Sequence, residues 1–316
     1  MLRRRPRRRL TAVPQISINA LIALVAAALW GGGDFCGGMG VKQAGGSTRA
    51  ALRFVLLSHT ISFTVLLLIL AALHRPVHFG APAVWAVAGG VAGGVGLTAF
   101  YIALSRGAMG AAAAVSGLLA AAVPAVVSSA MEGAPRALTL AGFGMAAAAI
   151  WMIAAGDSPE NQDSSGASLA LAAFGGAAFG VYFVALRMAN PLGLVAPMAI
   201  ARMGSLAVCG LLLGAMAIRG ATSKLQTPRA QKTPKFAEVV WPLLPWALGV
   251  ALLDTGGNMM FVAATRLGRL DVAAVLASLY PAGTILLAAW HLHERPTRRQ
   301  VAGMAAALAA VVMIAA

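Results

Sequence analysis

The chain has 316 residues, of which 60% are hydrophobic and 10% are charged, and its mean hydropathy is +0.83. A soluble domain commonly carries about 25% charged residues, so this composition excludes a soluble domain. The formal net charge of +15 suggests nucleic acid in a soluble protein, but here the basic residues lie before and between apolar runs, where they anchor helices at a membrane surface. We therefore expect a lipid bilayer as partner and no nucleic acid.

The apolar runs predict ten membrane-spanning helices. Spanning segments must be helices or a closed barrel, because lipid cannot hydrogen-bond the backbone. Barrel strands alternate apolar and polar residues, whereas these runs are continuous and have the length of about 20 residues that a spanning helix needs. The predicted spans are 16–38, 48–73, 81–104, 109–131, 136–156, 167–189, 195–219, 239–264, 270–292 and 298–316.

The loops between the spans leave no room for a soluble domain. A basic segment, residues 1–15, precedes the first span, and a basic loop at 219–238 contains two prolines. The segment 157–166 is acidic and rich in serine, and it falls at the midpoint of the chain. It therefore separates two predicted five-helix repeats, residues 16–156 and 167–316.

Weak internal similarity supports this duplication. An offset of 149 residues pairs Trp30-Gly31 with Phe179-Gly180 and Arg53-Phe54 with Arg202-Met203. After the long basic loop the offset is 160, which pairs Ser105-Arg106 with Thr265-Arg266, and the last spans fit an offset of 161. Five spans per repeat is an odd number, so the second repeat must enter the membrane in the opposite sense. Inverted repeats are common in secondary transporters, which bind substrate near the midplane.

The basic residues do not decide the orientation by number. With a cytoplasmic amino terminus, eleven basic residues fall on each side, and Arg53 and Arg202 lie within spans. The arginine cluster before the first helix and the acidic midpoint loop favour cytoplasmic termini. We predict an integral protein of the cytoplasmic (plasma) membrane with both termini in the cytoplasm.

Several of these features resemble the EamA-type drug/metabolite transporter family over residues 16–316. They are the run Ala28-Leu29-Trp30-Gly31, the arginines Arg53 and Arg202 early in their spans, and the acidic residues Glu132 and Glu294-Arg295 that close the fourth and ninth spans. The resemblance implies transport of a small metabolite or drug by alternating access. The chain departs from the family pattern at Gly133, where a basic residue is usual, and in the run Gly31-Gly32-Gly33-Asp34.

Two carboxylates lie inside predicted spans, where a charge costs at least about 2.5–3.5 kcal/mol. Asp254 is fourteen residues after Val240, or roughly 21 Å along a helix, and Asn258 follows one turn later on the same face. Asp34 lies in a glycine-rich stretch where the helix could be broken or closely packed. Without a cation, either carboxylate could exchange a proton near neutral pH. Alternatively, each caps a neighbouring backbone or pairs with an arginine.

Other polar and aromatic side chains in the spans have two readings each. Arg53 and Arg202 could extend to the lipid headgroups or bind an anionic group of a substrate. Trp30, Tyr101 and Tyr280 could stack on a flat solute in a cavity or belong to an aromatic belt at the membrane surface. Glycine pairs with four-residue spacing, such as Gly90 and Gly94, predict close helix packing.

Alternative functions have less support in the sequence. His74 with His78 and His291 with His293 are spaced like metal ligands, but both pairs fall at span ends, so we predict neither a metal site nor catalytic residues. Cys36 and Cys209 fit buried apolar positions. The chain contains no G-x-x-x-x-G-K-[ST] motif, which favours a secondary carrier without a cofactor. It could couple to protons through Asp254 or Asp34; a flippase for a lipid or lipid-linked precursor is the alternative on the same fold.

Overall fold

The computed structural model describes residues 17–74, 80–106, 109–154, 166–224, 240–292 and 297–315. The predicted segment 1–15, most of the acidic linker, and His78, His293 and Glu294-Arg295 lie outside these ranges. The α-helices within them are α1 (Ile18–Gln43), α2 (Thr48–Leu73), α3 (Ala81–Arg106), α4 (Met109–Glu132), α5 (Ala137–Ala154), α6 (Gly166–Met188), α7 (Ala196–Lys224), α8 (Leu244–Leu267), α9 (Leu270–Ala277), α10 (Tyr280–Leu292) and α11 (Arg298–Ala315).

The prediction of an all-α polytopic membrane protein is confirmed. In the described ranges the regular structure is helical throughout, and eight spans are long and apolar enough to cross a membrane, counting Leu270–His291 as one. The helices α5 and α11 are shorter, with 18 residues each, and they pack against each other. The first helix ends at Gln43, five residues beyond the predicted end at Gly38.

The ninth span, predicted over 270–292, is broken near its middle. The helix α9 ends at Ala277, and α10 begins at Tyr280. Pro281 has no backbone N–H and therefore cannot donate to the carbonyl of Ala277 four residues earlier. A proline in the first turn of a helix, as here in α10, is well tolerated, so the chain restarts its helix at this point.

The glycine-rich part of α1 is an unbroken helix that packs closely on its neighbours. A Cβ atom at Gly33 would lie 3.3 Å from the backbone nitrogen of Asp254, and one at Gly31 would lie 2.9 Å from the Cα of Gly283. Glycines therefore bring the backbone of α1 against α8 and α10, as small residues do in membrane helix packing.

The helix contacts match a duplicated and inverted arrangement. In the predicted repeat, α6 corresponds to α1, and α3 corresponds to α8. The helix α1 packs on α8, and α6 packs on α3. Both pairs are antiparallel, as their contacts demonstrate: Asn19 with Gly268, Trp30 with Gly257 and Gly33 with Asp254 in the first pair, and Gly89 with Ala185, Gly96 with Ala178 and Phe100 with Gly175 in the second. Arg106, at the end of α3, bonds Gly46, which follows the end of α1. The helices α1 and α3 therefore run in the same direction, and α6 runs opposite to α1.

Two equivalent hydrogen bonds at opposite ends of the molecule support the same symmetry. Arg106 Nε, at the end of α3, donates to the carbonyl of Gly46 over 2.9 Å. Arg266 Nη1, at the end of α8, donates to the carbonyl of Asn190 over 3.1 Å. Each arginine thus ties the third span of its half to the loop between the first and second spans. The offset of 160 residues that paired these arginines in the sequence therefore corresponds to equivalent contacts.

Candidate functional site

A cavity lies between the two halves of the molecule. It receives side chains from α1, α2 and α3 of the first half and from α6, α7, α8 and α10 of the second. The residues that line it are Trp30, Asp34, His59, Gly90, Gly93, Gly94, Leu97, Phe179, Tyr182, Phe183, Ala201, Arg202, Ser205, Asp254, Asn258 and Tyr280.

Arg202 is the one arginine in this lining, and its side chain is 6% exposed. Its guanidinium forms an ion pair with Asp254 and donates to Thr255 Oγ1 over 3.2 Å. A buried guanidinium is tolerated when its charge is compensated and its N–H groups are bonded. The ion pair joins α7 to α8 at the level of the cavity.

His59 extends this network to α2. Arg202 Nη1 lies 3.0 Å from His59 Nε2, and a guanidinium can only donate hydrogen bonds. The Nε2 atom must therefore accept, which places the proton of a neutral imidazole on Nδ1. From there it is donated to Ser205 Oγ. The network carries one positive charge on Arg202 and one negative charge on Asp254.

Asp34 differs from Asp254 because it has no ion pair or hydrogen bond to any residue within the described ranges. It is 8% exposed, and it lines the cavity from α1. An unpaired carboxylate in a largely apolar site is costly. Binding of a proton or a cation would remove this cost. Among the lining residues, Asp34 is therefore the one that such binding would stabilise most.

Asn258 stands one turn after Asp254 on α8, as the sequence predicted. Its Nδ2 donates to the backbone carbonyl of Asp254 over 2.7 Å, while its Oδ1 has no partner among the described residues. Arg202 Nε is likewise buried without a partner among the described residues. The lining thus holds an amide oxygen and a guanidinium N–H whose hydrogen-bonding capacity is unmet within the described ranges.

Aromatic rings form one wall of the cavity. Trp30 stacks on Phe183 with their ring centroids 4.9 Å apart and their planes at 7°. Phe183 also contacts Phe261, with centroids 4.6 Å apart. Trp30 and Phe183 both line the cavity, whereas Phe261 lies outside the lining. The two lining rings come from α1 and α6, so the wall joins both halves of the molecule and places aromatic surface beside the polar network.

Of the residues that the sequence singled out, six line the cavity and two do not. The six are Trp30, Asp34, Arg202, Asp254, Asn258 and Tyr280. Tyr101 is fully buried outside the lining, where its ring lies against Gly37 and Phe54. Arg53 lies beside a separate surface cleft with Arg49 and Gln43.

The paired arginines therefore occupy different environments. Arg53 is exposed, and Phe54 after it is buried; Arg202 is buried, and Met203 after it is 51% exposed. The burial patterns of α2 and α7 agree when the offset is 150 residues, one more than the sequence match, which places Leu52 opposite Arg202 in the repeat. One residue of rotation on a helix is about 100°, enough to turn Arg53 out of the cavity.

Sequence reasoning did not identify His59, Ser205 or Phe183 as site residues. His59 lies in the middle of the second span, far from both histidine pairs with metal-like spacing, and that isolated position was its only signal. Within the part of the chain that the structure describes, no group of three or more His, Cys, Asp or Glu side chains is placed to hold a metal ion.

A second polar cluster lies where α4, α6 and α8 end and α9 begins. Arg187 donates to the carbonyl of Thr265 over 2.6 Å and forms an ion pair of 3.4 Å with Glu132. Arg269 bonds Asp271 at 2.8 Å and the carbonyl of Glu132 at 3.1 Å. The hydrogen bond with Asp271 raises the pKa of Arg269 above its ordinary value. This cluster holds four helix ends together.

Comparison with known proteins agrees with this architecture. Residues 168–316 match the model of a family described as the EamA-like transporter family. Eighteen chains of solved structures are similar to this one. One, described as "Crystal structure of protein", covers 95% of this chain and 99% of its own length, with a TM-score of 0.64 and 18% identity. At that identity the likeness shows the fold alone. No curated protein matches significantly.

Proposed function

Because residues 168–316 belong to the EamA-like transporter family, as the sequence resemblance predicted, we propose that this membrane protein is a secondary transporter of a small organic solute. The observation that carries the proposal is the cavity between the two halves, with its buried polar network and aromatic wall. Ligand sites of this kind combine apolar surface with a few placed polar groups. Its position between the halves is typical of secondary carriers.

Alternating access is the mechanism we propose. Two inverted halves that exchange conformations expose a site between them first to one side of the membrane and then to the other. Close glycine contacts support this motion, since Gly90 brings α3 against the backbone of Ala201 on α7, and Gly94 lies against Ser205 on the same helix. Small-residue interfaces of this kind allow packed helices to shift by small sliding movements.

Asp34 is the proton-coupling group in this proposal. The sequence left Asp34 and Asp254 as alternatives. Asp254 is already paired with Arg202, whereas Asp34 has no cationic partner in the described ranges. We place the carrier in the cytoplasmic membrane with both termini in the cytoplasm, because the arginine cluster precedes α1.

The test is solute uptake into liposomes that contain the purified protein. A panel of amino acids, purine bases, sugars and arylalkylamines would be assayed with the wild type, Arg202→Gln and Arg53→Gln. We expect uptake of at least one solute, its loss in Arg202→Gln and its retention in Arg53→Gln, which changes the same residue type outside the cavity. No uptake across the panel, or equal uptake by both variants, would contradict the proposal; movement of a labelled lipid instead would indicate a flippase.

A further inference from the structure

The charges in the cavity do not balance. Among the lining residues, Arg202 carries the positive charge, and Asp254 compensates it through their ion pair. His59 is neutral in the hydrogen-bonding arrangement that it shares with Arg202 and Ser205. Asp34 is the remaining charged side chain of the lining. When it is ionised, the cavity therefore has a net charge of one negative unit and requires a cation.

The surroundings of Asp34 define the shape of that cation. Trp30 lies four residues before Asp34 on α1, and both side chains line the cavity. Residues with this spacing share a helix face, with their Cβ atoms about 5–6 Å apart. The indole of Trp30 is stacked on Phe183, and both rings line the cavity, so aromatic side chains stand one helical turn from the unpaired carboxylate.

We propose that the cavity binds a small organic monocation, an arylalkylammonium, whose charged group pairs with Asp34 and whose ring lies against the aromatic wall. The inference rests on the proposed transport function and names its substrate class. A cation is attracted both by the carboxylate and by the faces of aromatic rings. The amide oxygen of Asn258, which has no partner among the described residues, can accept from an ammonium N–H. An organic anion meets no unpaired positive charge in the lining, because Arg202 is already bonded to Asp254.

The test compares three compounds of the same shape and different charge. Phenethylamine, 2-phenylethanol and 3-phenylpropionate would be titrated calorimetrically into the purified full chain in detergent, at about pH 8, where an alkylamine is protonated. We expect the amine to bind at least about tenfold more tightly than the alcohol, as one added charge interaction provides, and the acid to bind most weakly. Equal binding of all three, or tightest binding of the acid, would overturn the inference.

Two variants separate the charge of Asp34 from a charge outside the cavity. Asp34→Asn keeps the shape of the side chain and removes the unpaired charge, so the preference for the amine should disappear. Arg53→Gln removes a charge beside a separate surface cleft and leaves the lining unchanged, so the preference should persist. The reverse pattern would overturn the inference.

These experiments distinguish a failure of the cation inference from a failure of the proposed transport function. If phenethylamine binds as expected but no solute of the panel moves into liposomes, the cation site stands and the transport function is wrong. If a neutral or anionic solute moves and phenethylamine does not bind, the carrier stands and the cation inference is wrong.

Discussion

At the scale of single residues, the cavity depends on one compensated charge pair. Arg202 and Asp254 have side chains that are 6% and 15% exposed, so water can compensate little of either charge. Removing one partner of a buried ion pair leaves an uncompensated charge, which is far more costly than removing both. The pair therefore stabilises the fold around the cavity as well as setting its charge.

A denaturation series tests this role. Arg202→Gln is expected to lower the free energy of unfolding by about 3–5 kcal/mol, and adding Asp254→Asn should recover much of the loss. Arg53→Gln, at the exposed arginine, should change stability by no more than about 0.5 kcal/mol. Denaturant unfolding of the purified variants in detergent would measure the differences. Equal losses for Arg202→Gln and Arg53→Gln would contradict the assignment.

Residue identity alone predicted part of the site. Asp34 and Asp254 stand out because charge in an apolar run is costly, and both line the cavity. The pairing of Asp254 with Arg202 joins residues 52 positions apart, and the bond from Arg202 to His59 joins residues 143 apart. Contacts over such distances depend on how helices rotate and pack. For the same reason the sequence could not separate Arg202 from Arg53.

At the scale of helices, glycine determines which elements approach closely. A Cβ atom at Gly90 would collide with the backbone carbonyl of Ala201, and one at Gly94 would lie 3.0 Å from the Cα of Ser205. Both glycines belong to α3 and face α7, so they bring α3 against the helix that carries Arg202. The close approach of these helices helps to hold the polar network in place.

Alanine substitutions at two glycines separate packing from helix propensity. Gly90→Ala should destabilise the protein by about 1–3 kcal/mol, because the added methyl group forces α3 away from α7. Gly144→Ala on α5, where nothing lies within 4 Å of the added Cβ, should be neutral or stabilising by up to about 1 kcal/mol. Thermal unfolding in detergent would measure both. The same effect at both positions would contradict a packing role for Gly90.

The helices themselves were largely predictable, and their irregularities were not. Continuous apolar runs of about 20 residues require spanning helices because the backbone must be satisfied within each segment. The break at Ser278 and Leu279 falls inside such a run, and Pro281 was its single signal. Proline also occurs within α4 at Pro124, which leaves that helix continuous. The packing of neighbouring helices, rather than proline alone, therefore decides where a span breaks.

At the scale of the whole molecule, the account requires that the two halves cross the membrane in opposite senses. The starts of α2 and α7 are separated by five predicted crossings, one of which is the 18-residue helix α5. If α5 spans the membrane, Thr48 and Leu194, both exposed near these helix starts, lie on opposite sides. If α5 does not span, they lie on the same side.

Cysteine labelling distinguishes these arrangements. Thr48→Cys and Leu194→Cys would be made separately in a background with Cys36 and Cys209 replaced by alanine. We expect a membrane-impermeant maleimide added to intact cells to label Thr48→Cys and to reach Leu194→Cys only after the cells are opened. Labelling of both from the outside would contradict the inverted arrangement, and the reversed pattern would place the termini outside.

Proton-coupled transport through the cavity is the central claim, and uptake against a concentration gradient tests it most directly. The solute identified in liposomes would be measured with and without an imposed pH gradient, in the wild type and in Asp34→Asn. The account predicts that the gradient drives the wild type to accumulate solute, while Asp34→Asn carries it only down its own gradient. A wild type that moves no solute, or an Asp34→Asn variant that accumulates solute as the wild type does, would contradict the account.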